Sequence, residues 1–459
     1  MRLTFLDRTE ELARLRALLA RRERAVAVLY GRRRCGKSRL LLEALPPRRA
    51  AYYVADDRES ALQRAALATE VARVVPGFDQ VIYPDWDALL ARAWTEMPRG
   101  AALVLDELPA LVAAAPEVPS LLQKYIDRPH GGPHLVLAGS SQRMMQGLVL
   151  DRTAPLYGRA TEILKITPLA CGWIRKALRL RDDRAAVEAY AVWGGIPRYW
   201  ELALDFPDQD TALRALLLSP LGVLHDEPAR LLLDDLRDVT QVASILALIG
   251  RGCHRLSEIA GRLGKPATSL SRPMERLLEL GLVHRVVPFG LSSRDTKRSL
   301  YRIADPFLRF WFRFVEPNRS RLEAQQTSGV AREIQAQFPQ YVSGVWEDLV
   351  RESIPRRQYF GRTWREGRPW WGPGRDRTSL ELDAVAESVD GAALLLGEVK
   401  WTTTLDTAGL ISTLQRKAER FPLAEGRQIL LGVWVPAAPA RRARGAAFFC
   451  LSDVLRALR

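Results

Sequence analysis

The fold of this chain is decided by the stretch Gly31-Arg32-Arg33-Arg34-Cys35-Gly36-Lys37-Ser38, which has the spacing G-x-x-x-x-G-K-S of a phosphate-binding loop. The apolar run Ala25–Tyr30 before it is typical of a buried strand. Good helix formers follow it, and Pro46 and Pro47 end that helix. A strand, a glycine loop and a helix in this order distinguish a phosphate-binding loop from a chance match in a turn rich in Gly and Arg. We therefore predict an α/β nucleotide-binding domain built on a parallel sheet.

The predicted ligand of this loop is ATP with Mg²⁺. Backbone N–H groups of the loop and the N-terminus of the helix attract an anion. Lys37 would reach the outer phosphates, and the hydroxyl of Ser38 would hold magnesium. The residues assigned to the nucleotide are Gly31, Cys35, Gly36, Lys37, Ser38 and Arg39.

A second apolar run ends in two carboxylates, because Ala101–Leu105 is followed by Asp106 and Glu107. Downstream of a phosphate-binding loop, this pattern is typical of an ATPase. We predict that Asp106 coordinates magnesium and that Glu107 polarises the attacking water. The alternative is a strand that acidic residues merely cap.

Two further residues are candidates for the same site. A third apolar strand starts at His134 and leads to Ser140, which would sense the γ-phosphate or, equally well, cap the helix that begins at Gln142. Arg159 is a candidate for stabilising charge in the transition state, although one arginine in a chain this basic carries little weight.

Together with the opening Phe5-Leu6-Asp7-Arg8 and the later Trp193–Pro197, these motifs resemble the archaeal-type ATPases of the STAND-like branch of the AAA+ class. The resemblance covers about the first half of the chain. It implies an ATPase domain over residues 1–166 and a helical lid over residues 167–236. It also implies that Gly195 and Pro197 lie near the nucleotide base.

Composition limits the remaining possibilities. A chain of 459 residues exceeds one hydrophobic core, and about two to four domains are expected. No apolar run is long enough for a membrane span, and the first residues do not resemble a secretory signal. Four cysteines without paired spacing favour a reducing cytoplasm. The net charge of +15 permits a nucleic-acid partner without establishing one.

Residues 237–316 predict a winged helix-turn-helix, since three helical segments precede two short strands. In a DNA-binding version the third helix would enter the major groove and the wing would contact phosphates. The alternative is an internal scaffold. The DNA-facing candidates are Thr268, Ser269, Ser271, Arg272, Arg294, Lys297 and Arg298.

The module over residues 340–459 contains a predicted hairpin with Asp390-Gly391 at its turn. This turn places Asp383 opposite Glu398 and Glu381 opposite Lys400, with all four on one face. Facing carboxylates on a buried hairpin repel one another unless a cation lies between them. We therefore predict that Asp383 and Glu398 bind magnesium, with Lys400 as a catalytic residue.

The Asp…Glu-x-Lys layout resembles the PD-(D/E)xK nucleases, with Glu347 and Gln415 as further matches, and the module resembles the uncharacterised DUF234 domain. A restriction-endonuclease-like α/β fold is implied. The alternatives are a hairpin stabilised by Glu381 and Lys400, and a nuclease fold without activity.

The combined prediction is a cytoplasmic ATPase that acts as a nucleotide-dependent switch on a nuclease-like module, with DNA or a protein partner, possible self-association and no membrane contact. Two alternatives stay open at this point. One is an active ATP-dependent DNA-processing or defence nuclease, and the other is an ATP-binding signalling scaffold that does not cleave.

Overall fold

The computed structural model describes residues 3–235, 239–292, 298–402, 404–439 and 444–459. These residues form two compact units. The N-terminal unit contains residues 7–168 and 233–235, and the C-terminal unit contains residues 3–6, 169–232 and 239–459. Within the described ranges, no helix has the length and apolar character that crossing a membrane requires.

The N-terminal unit is built on a five-stranded parallel sheet with the strand order β2-β3-β4-β1-β5. Its central strands are buried at almost every residue, as expected when helices cover both faces of a parallel sheet. The prediction of an α/β parallel-sheet domain is confirmed. The strands are β1 (Val26–Tyr30), β2 (Ala50–Val54), β3 (Ala102–Asp106), β4 (His134–Gly139) and β5 (Glu162–Lys165).

Helices pack on this sheet, and one hydrophobic core contains apolar residues of the strands and of the helices within residues 60–145. Trp86 and Phe78 are among the largest side chains buried there. The helices are α1 (Thr9–Leu19), α2 (Lys37–Ala44), α3 (Ser60–Ala72), α4 (Trp86–Glu96), α5 (Leu108–Ala114), α6 (Val118–Ile126) and α7 (Gln142–Met145).

The C-terminal unit begins with short helices and contains one long helix with a proline, Pro339, in its interior. The helices before the C-terminal sheet are α8 (Ile174–Ala177), α9 (Asp183–Trp193), α10 (Pro197–Ala203), α11 (Gln209–Leu213), α12 (Glu227–Asp235), α13 (Val239–Gly250), α14 (Leu256–Leu263), α15 (Ser271–Glu279), α16 (Pro306–Phe310), α17 (Arg319–Glu323) and α18 (Thr327–Ser353).

The two strands predicted for a wing are present as an antiparallel pair, β6 (Val283–Val286) and β7 (Leu300–Ile303). Arg298 donates from Nη2 to the carbonyl oxygen of Trp371 at 2.9 Å, so this guanidinium contacts the C-terminal sheet. The segment after β6 makes the same connection, because Phe289 N donates to Pro369 O at 2.9 Å. These contacts favour the scaffold alternative for the hairpin.

The structure describes four of the remaining DNA-facing candidates and leaves out two. Thr268, Ser269, Ser271 and Arg272 are exposed around the start of α15. Arg294 and Lys297 lie outside the described residues. DNA binding by this region stays a prediction.

The C-terminal sheet has five strands in the order β12-β11-β10-β9-β8. Leu394 pairs with Glu387 and Gly397 with Ala384, which confirms the predicted hairpin register. Gly391 at the turn has φ 73°, where glycine is favoured. The elements are β8 (Arg368–Pro373), β9 (Ser379–Glu387), β10 (Ala393–Val399), α19 (Thr407–Arg420), β11 (Gln428–Trp434), β12 (Ala447–Phe449) and α20 (Leu451–Ala457).

Candidate functional site

The phosphate-binding loop connects β1 to α2, so it lies at the carboxyl end of a central strand. At Gly31 an added Cβ atom would lie 2.2 Å from the carbonyl oxygen of Ile166, which excludes any side chain without a backbone shift. At Gly36, the residue before α2, φ is 91°, a conformation that L side chains rarely adopt. Both glycines of the motif are therefore required by the geometry of the loop.

Lys37 lies folded against its own loop and is 5% exposed. Its Nζ donates to the carbonyl oxygens of Gly31 at 2.8 Å and Arg32 at 3.2 Å, and to Ser140 Oγ at 3.0 Å. Burial lowers the pKa of Lys37, and the charge of Glu107 partly offsets this effect. The ammonium group therefore connects the loop with the end of β4.

Asp106 is 1% exposed, and its carboxylate accepts three hydrogen bonds. Oδ2 accepts from Ser38 Oγ at 2.7 Å and from Tyr52 Oη at 2.5 Å. Oδ1 accepts from the backbone N–H of Glu107 at 3.0 Å. Burial and the Asp106 charge both raise the pKa of Tyr52, which keeps this hydroxyl a donor. The sequence analysis missed Tyr52, because a tyrosine in an apolar strand carries no sign that its hydroxyl reaches a neighbouring strand.

Glu107 is bound by Ser140 through both of its oxygens. Ser140 Oγ donates to Oε1 at 2.5 Å, and the backbone N–H of Ser140 donates to Oε2 at 3.0 Å. Glu107 also has φ 54°, an uncommon conformation outside glycine that is often found at functional sites.

The capping alternative for Ser140 is wrong. Ser141 is the N-cap of α7, and its Oγ accepts from Met144 N at 3.3 Å. Ser140 instead lies between Lys37 and Glu107.

This donor set fits a magnesium–nucleotide ligand. The Ser38 hydroxyl and the Asp106 carboxylate are hard oxygen donors that lie within 2.7 Å of one another. The loop N–H groups and Lys37 supply the positive environment that phosphates require.

Two predicted residues are not brought to this group. Arg159 forms a bidentate pair with Asp127, with both N–O distances 2.8 Å. It precedes β5 and therefore lies toward the amino ends of the strands, whereas the loop follows a carboxyl end. Arg39 is exposed and pairs with Glu43 of the same helix at 2.7 Å. In this structure, the guanidinium groups of Arg159 and Arg39 pair with Asp127 and Glu43 rather than with residues of the site.

Two more predicted residues, Gly195 and Pro197, belong to the C-terminal unit. The carbonyl oxygen of Gly195 accepts from Leu169 N at 2.7 Å, and Pro197 begins α10. A role for them near the nucleotide base stays a prediction.

In the C-terminal unit, Asp383 and Glu398 share one lysine. Lys400 Nζ lies 2.7 Å from Glu398 Oε2 and 3.3 Å from Asp383 Oδ2. Although burial lowers the pKa of Lys400, the charges of the two carboxylates raise it. The second oxygen of Glu398 accepts from Lys417 of α19, a residue that the sequence analysis missed. The resemblance to PD-(D/E)xK nucleases gave Gln415 of the same helix as a further match, and Gln415 lies against Gly445.

The positive charge that offsets the repulsion between Asp383 and Glu398 therefore comes from Lys400, and Lys417 adds a second positive charge at Glu398. Asp383 Oδ2 also accepts from Val399 N at 2.8 Å. As arranged, these carboxylates are satisfied without a metal, and the described part of the chain has no group of three or more His, Cys, Asp or Glu side chains that could hold one. The alternative pair of Glu381 and Lys400 is not formed either, because Lys400 contacts Asp383 and Glu398 instead.

Two segments of the chain match known families. The sequence model of an ATPase domain predominantly from Archaea matches residues 5–202, and that of DUF234, described as archaeal and bacterial proteins of unknown function, matches residues 311–416. An uncharacterized protein of Methanocaldococcus jannaschii is 30% identical over 412 residues, which cover 88% of each chain. The chain belongs to the archaeal ATPase family with a C-terminal DUF234 domain.

The chain also has similarity to solved structures. A Walker-type ATPase of Pyrococcus abyssi is 22% identical and covers 67% of this chain and 96% of its own, with a TM-score of 0.48. The ORC2 protein of Aeropyrum pernix, in its complexes with ADPNP and ADP, is 14% identical, with a TM-score of 0.45. The match covers 73% of this chain and 97% of the ORC2 chain. At these levels of similarity no function is transferred to this family member.

Proposed function

We propose that this protein binds ATP with Mg²⁺ and hydrolyses it. The observation that carries the proposal is the hydrogen-bonded group formed by Lys37, Ser38, Asp106, Glu107 and Ser140, which joins the loop to the ends of two neighbouring strands. Each type of side chain required for phosphoryl transfer is present: a cation, an oxygen pair for the metal, and a carboxylate to orient water.

The roles follow from the contacts. Lys37 would exchange its bonds to the loop carbonyls for the outer phosphates, since an ammonium group binds phosphate more strongly than a neutral carbonyl. Bound magnesium would supply charge neutralisation at the phosphates. Glu107 would release Ser140 and accept a hydrogen bond from the attacking water. Ser140 would then donate to the phosphate, so the same hydroxyl reports the presence of nucleotide.

The nucleotide-binding step is tested by titrating Mg-ATP and Mg-ADP into the full chain by calorimetry. Lys37→Ala should weaken binding by about 100-fold, because it removes the charge-assisted contacts to phosphate. Arg39→Ala is the matched control, since it removes a neighbouring positive charge that is paired with Glu43, and it should bind as wild type does. Equal binding by wild type and Lys37→Ala would contradict the proposal.

We further propose that the nucleotide state controls the C-terminal module, with DNA or a protein as its partner. The joining of an ATPase domain and a DUF234 domain in one chain supports a switch with a separate output. Because Lys400 and Lys417 satisfy the carboxylates, we expect the wild-type protein not to cleave single- or double-stranded DNA with Mg²⁺ or Mn²⁺.

A cleavage assay decides between this switch and the nuclease alternative. Cleavage by the wild type that is lost in Asp383→Ala and Lys400→Ala would establish the nuclease. Glu381→Ala is the matched control, because this exposed carboxylate lies on the same strand and is not bonded to Lys400. Cleavage that persists in all three variants would indicate a contaminating enzyme.

A further inference from the structure

A single carboxylate in the C-terminal unit is shared by three arginines. Asp348 of α18 lies 2.6 Å from Arg351, 2.8 Å from Arg309 and 3.7 Å from Arg302. Although burial opposes it, the three guanidinium groups hold the pKa of Asp348 well below its usual range. The cluster therefore has more positive than negative charge, and unbalanced buried charge is costly unless an anion approaches it.

Two of the three arginines are held in place by other bonds. Arg309 donates from Nε and Nη2 to the carbonyl oxygen of Ile303, at 3.2 and 2.9 Å. Arg351 donates from Nη1 to the carbonyl oxygen of Asp383 at 2.7 Å. Arg302 differs, because among the described residues its guanidinium has no hydrogen-bond acceptor and only the long approach to Asp348.

Arg302 lines a cavity of about 380 Å³ between the end of α13, strand β7, α16 and α18. Arg309 and Arg313 line the same cavity, and Gln340 and Ser343 of α18 add neutral polar groups. Arg313 is exposed and makes one long bond, from Nη2 to Gln337 Oε1 at 3.3 Å. A concave site with several guanidinium groups has the donor geometry that phosphate oxygens match.

The other titratable groups of the cavity do not cancel this charge. Burial lowers the pKa of His254, so this imidazole is neutral near pH 7. Burial raises the pKa of Glu347, and the charge of Arg351, 3.6 Å away, opposes this shift. Even with Glu347 ionised, the three arginines around Asp348 outnumber the two carboxylates, and Arg313 adds another positive charge to the cavity wall.

We propose that this cavity binds a phosphate group, with Arg302 and Arg313 donating to its oxygens and Arg309 supplying charge from the wall. The phosphate belongs either to a free phosphorylated molecule or to a nucleic-acid backbone, and both offer the same oxygens. The cavity residues belong to the C-terminal unit, whereas the phosphate-binding loop belongs to the N-terminal unit.

The test uses the full chain with Lys37→Ala, so that binding at the phosphate-binding loop does not contribute. Pyrophosphate and, in a second arm, a 12-mer duplex DNA without terminal phosphates are titrated by calorimetry at fixed salt. Arg302→Gln and Arg313→Gln should each weaken binding of at least one probe by about tenfold, and Arg302→Lys should recover part of the loss. Arg332→Gln is the matched control, because Arg332 is exposed on α18 outside the cavity.

The two probes distinguish the two sources of the phosphate. Loss confined to pyrophosphate indicates a free phosphorylated ligand, and loss that includes the DNA indicates a backbone phosphate. The proposal is overturned if neither probe binds saturably, or if Arg332→Gln weakens binding as much as Arg302→Gln does. Thermal unfolding separates a folding defect from lost binding, and Arg313, being exposed, provides a variant that should fold normally.

Discussion

Tyr52 donates a hydrogen bond of 2.5 Å to Asp106, at the same carboxylate oxygen that accepts from Ser38. The tyrosine comes from β2 and the aspartate from the end of the neighbouring β3. A carboxylate fixed by two hydroxyl donors keeps one orientation, and partners of this kind commonly tune a metal site. Tyr52 is thus a positioning residue for the proposed magnesium site.

Tyr52→Phe should raise the Mg²⁺ concentration for half-maximal ATP hydrolysis by about tenfold, because the variant loses the bond that orients Asp106. The maximal rate at saturating Mg²⁺ should change much less. Tyr53→Phe is the control, since its hydroxyl donates to Gln63 rather than to Asp106. An unchanged Mg²⁺ dependence in Tyr52→Phe would remove this residue from the account.

Ser140→Ala should lower kcat for ATP hydrolysis by about 100-fold, because the loss of one donor to charge that develops in a transition state has a cost of this order. Ser141→Ala changes the adjacent serine, which caps α7, and should cost about 1 kcal/mol of stability while leaving kcat unchanged. Steady-state rates and thermal unfolding of both variants make the comparison. If the two variants have the same kcat, Ser140 has no special role.

His284 should make the protein less stable in mild acid. Burial lowers the pKa of His284 to about 4, and the charges of Arg309 and Arg302 act in the same direction. The unfolded chain has a histidine pKa of about 6.5, so it binds the extra proton between these values and stability falls as pH drops from about 6.5 towards 4. From pH 7 to pH 5, wild type should lose about 2 kcal/mol more than His284→Gln does.

Denaturant unfolding at both pH values measures this difference. His130→Gln is the control, since His130 is exposed and should leave the pH dependence as it is in the wild type. A parallel pH dependence in wild type and His284→Gln would show that the buried imidazole accepts a proton without cost.

Lys417→Met should destabilise the protein by about 2 kcal/mol, because it leaves one oxygen of the buried Glu398 without its charged donor. Adding Glu398→Gln to this variant should recover part of the loss, since the amide carries no charge. Lys176→Met is the exposed control and should be near neutral. If the double variant is no more stable than Lys417→Met alone, the ion pair is not the source of the cost.

Local sequence patterns predicted the parts of the site that local geometry determines. The glycine spacing from Gly31 to Gly36 specifies the loop, and Asp390-Gly391 specifies the turn that sets the register of Asp383 and Glu398. The order of elements could also have excluded Arg159, because a residue just before a parallel strand lies at the edge opposite the loop.

Contacts between distant segments were not predictable in this way. The bond between Tyr52 and Asp106 depends on which strands become neighbours, and the contact of Lys417 with Glu398 depends on how α19 packs on the sheet. The three arginines around Asp348 come from different elements, and no local spacing connects them. Lys400 contacts both Asp383 and Glu398, so their mutual repulsion no longer requires a metal, and metal binding there stays a prediction.

In the proposed reaction, Glu107 orients the water that attacks ATP. The most direct test measures steady-state ATP hydrolysis and ATP binding for wild type and Glu107→Gln at saturating Mg²⁺. We expect Mg²⁺-dependent hydrolysis by the wild type, a rate at least about 100-fold lower for Glu107→Gln, and equal affinity for ATP. Hydrolysis by Glu107→Gln at the wild-type rate would show that Glu107 does not orient the water, and a wild type that binds ATP and never hydrolyses it would show that the protein is not an ATPase.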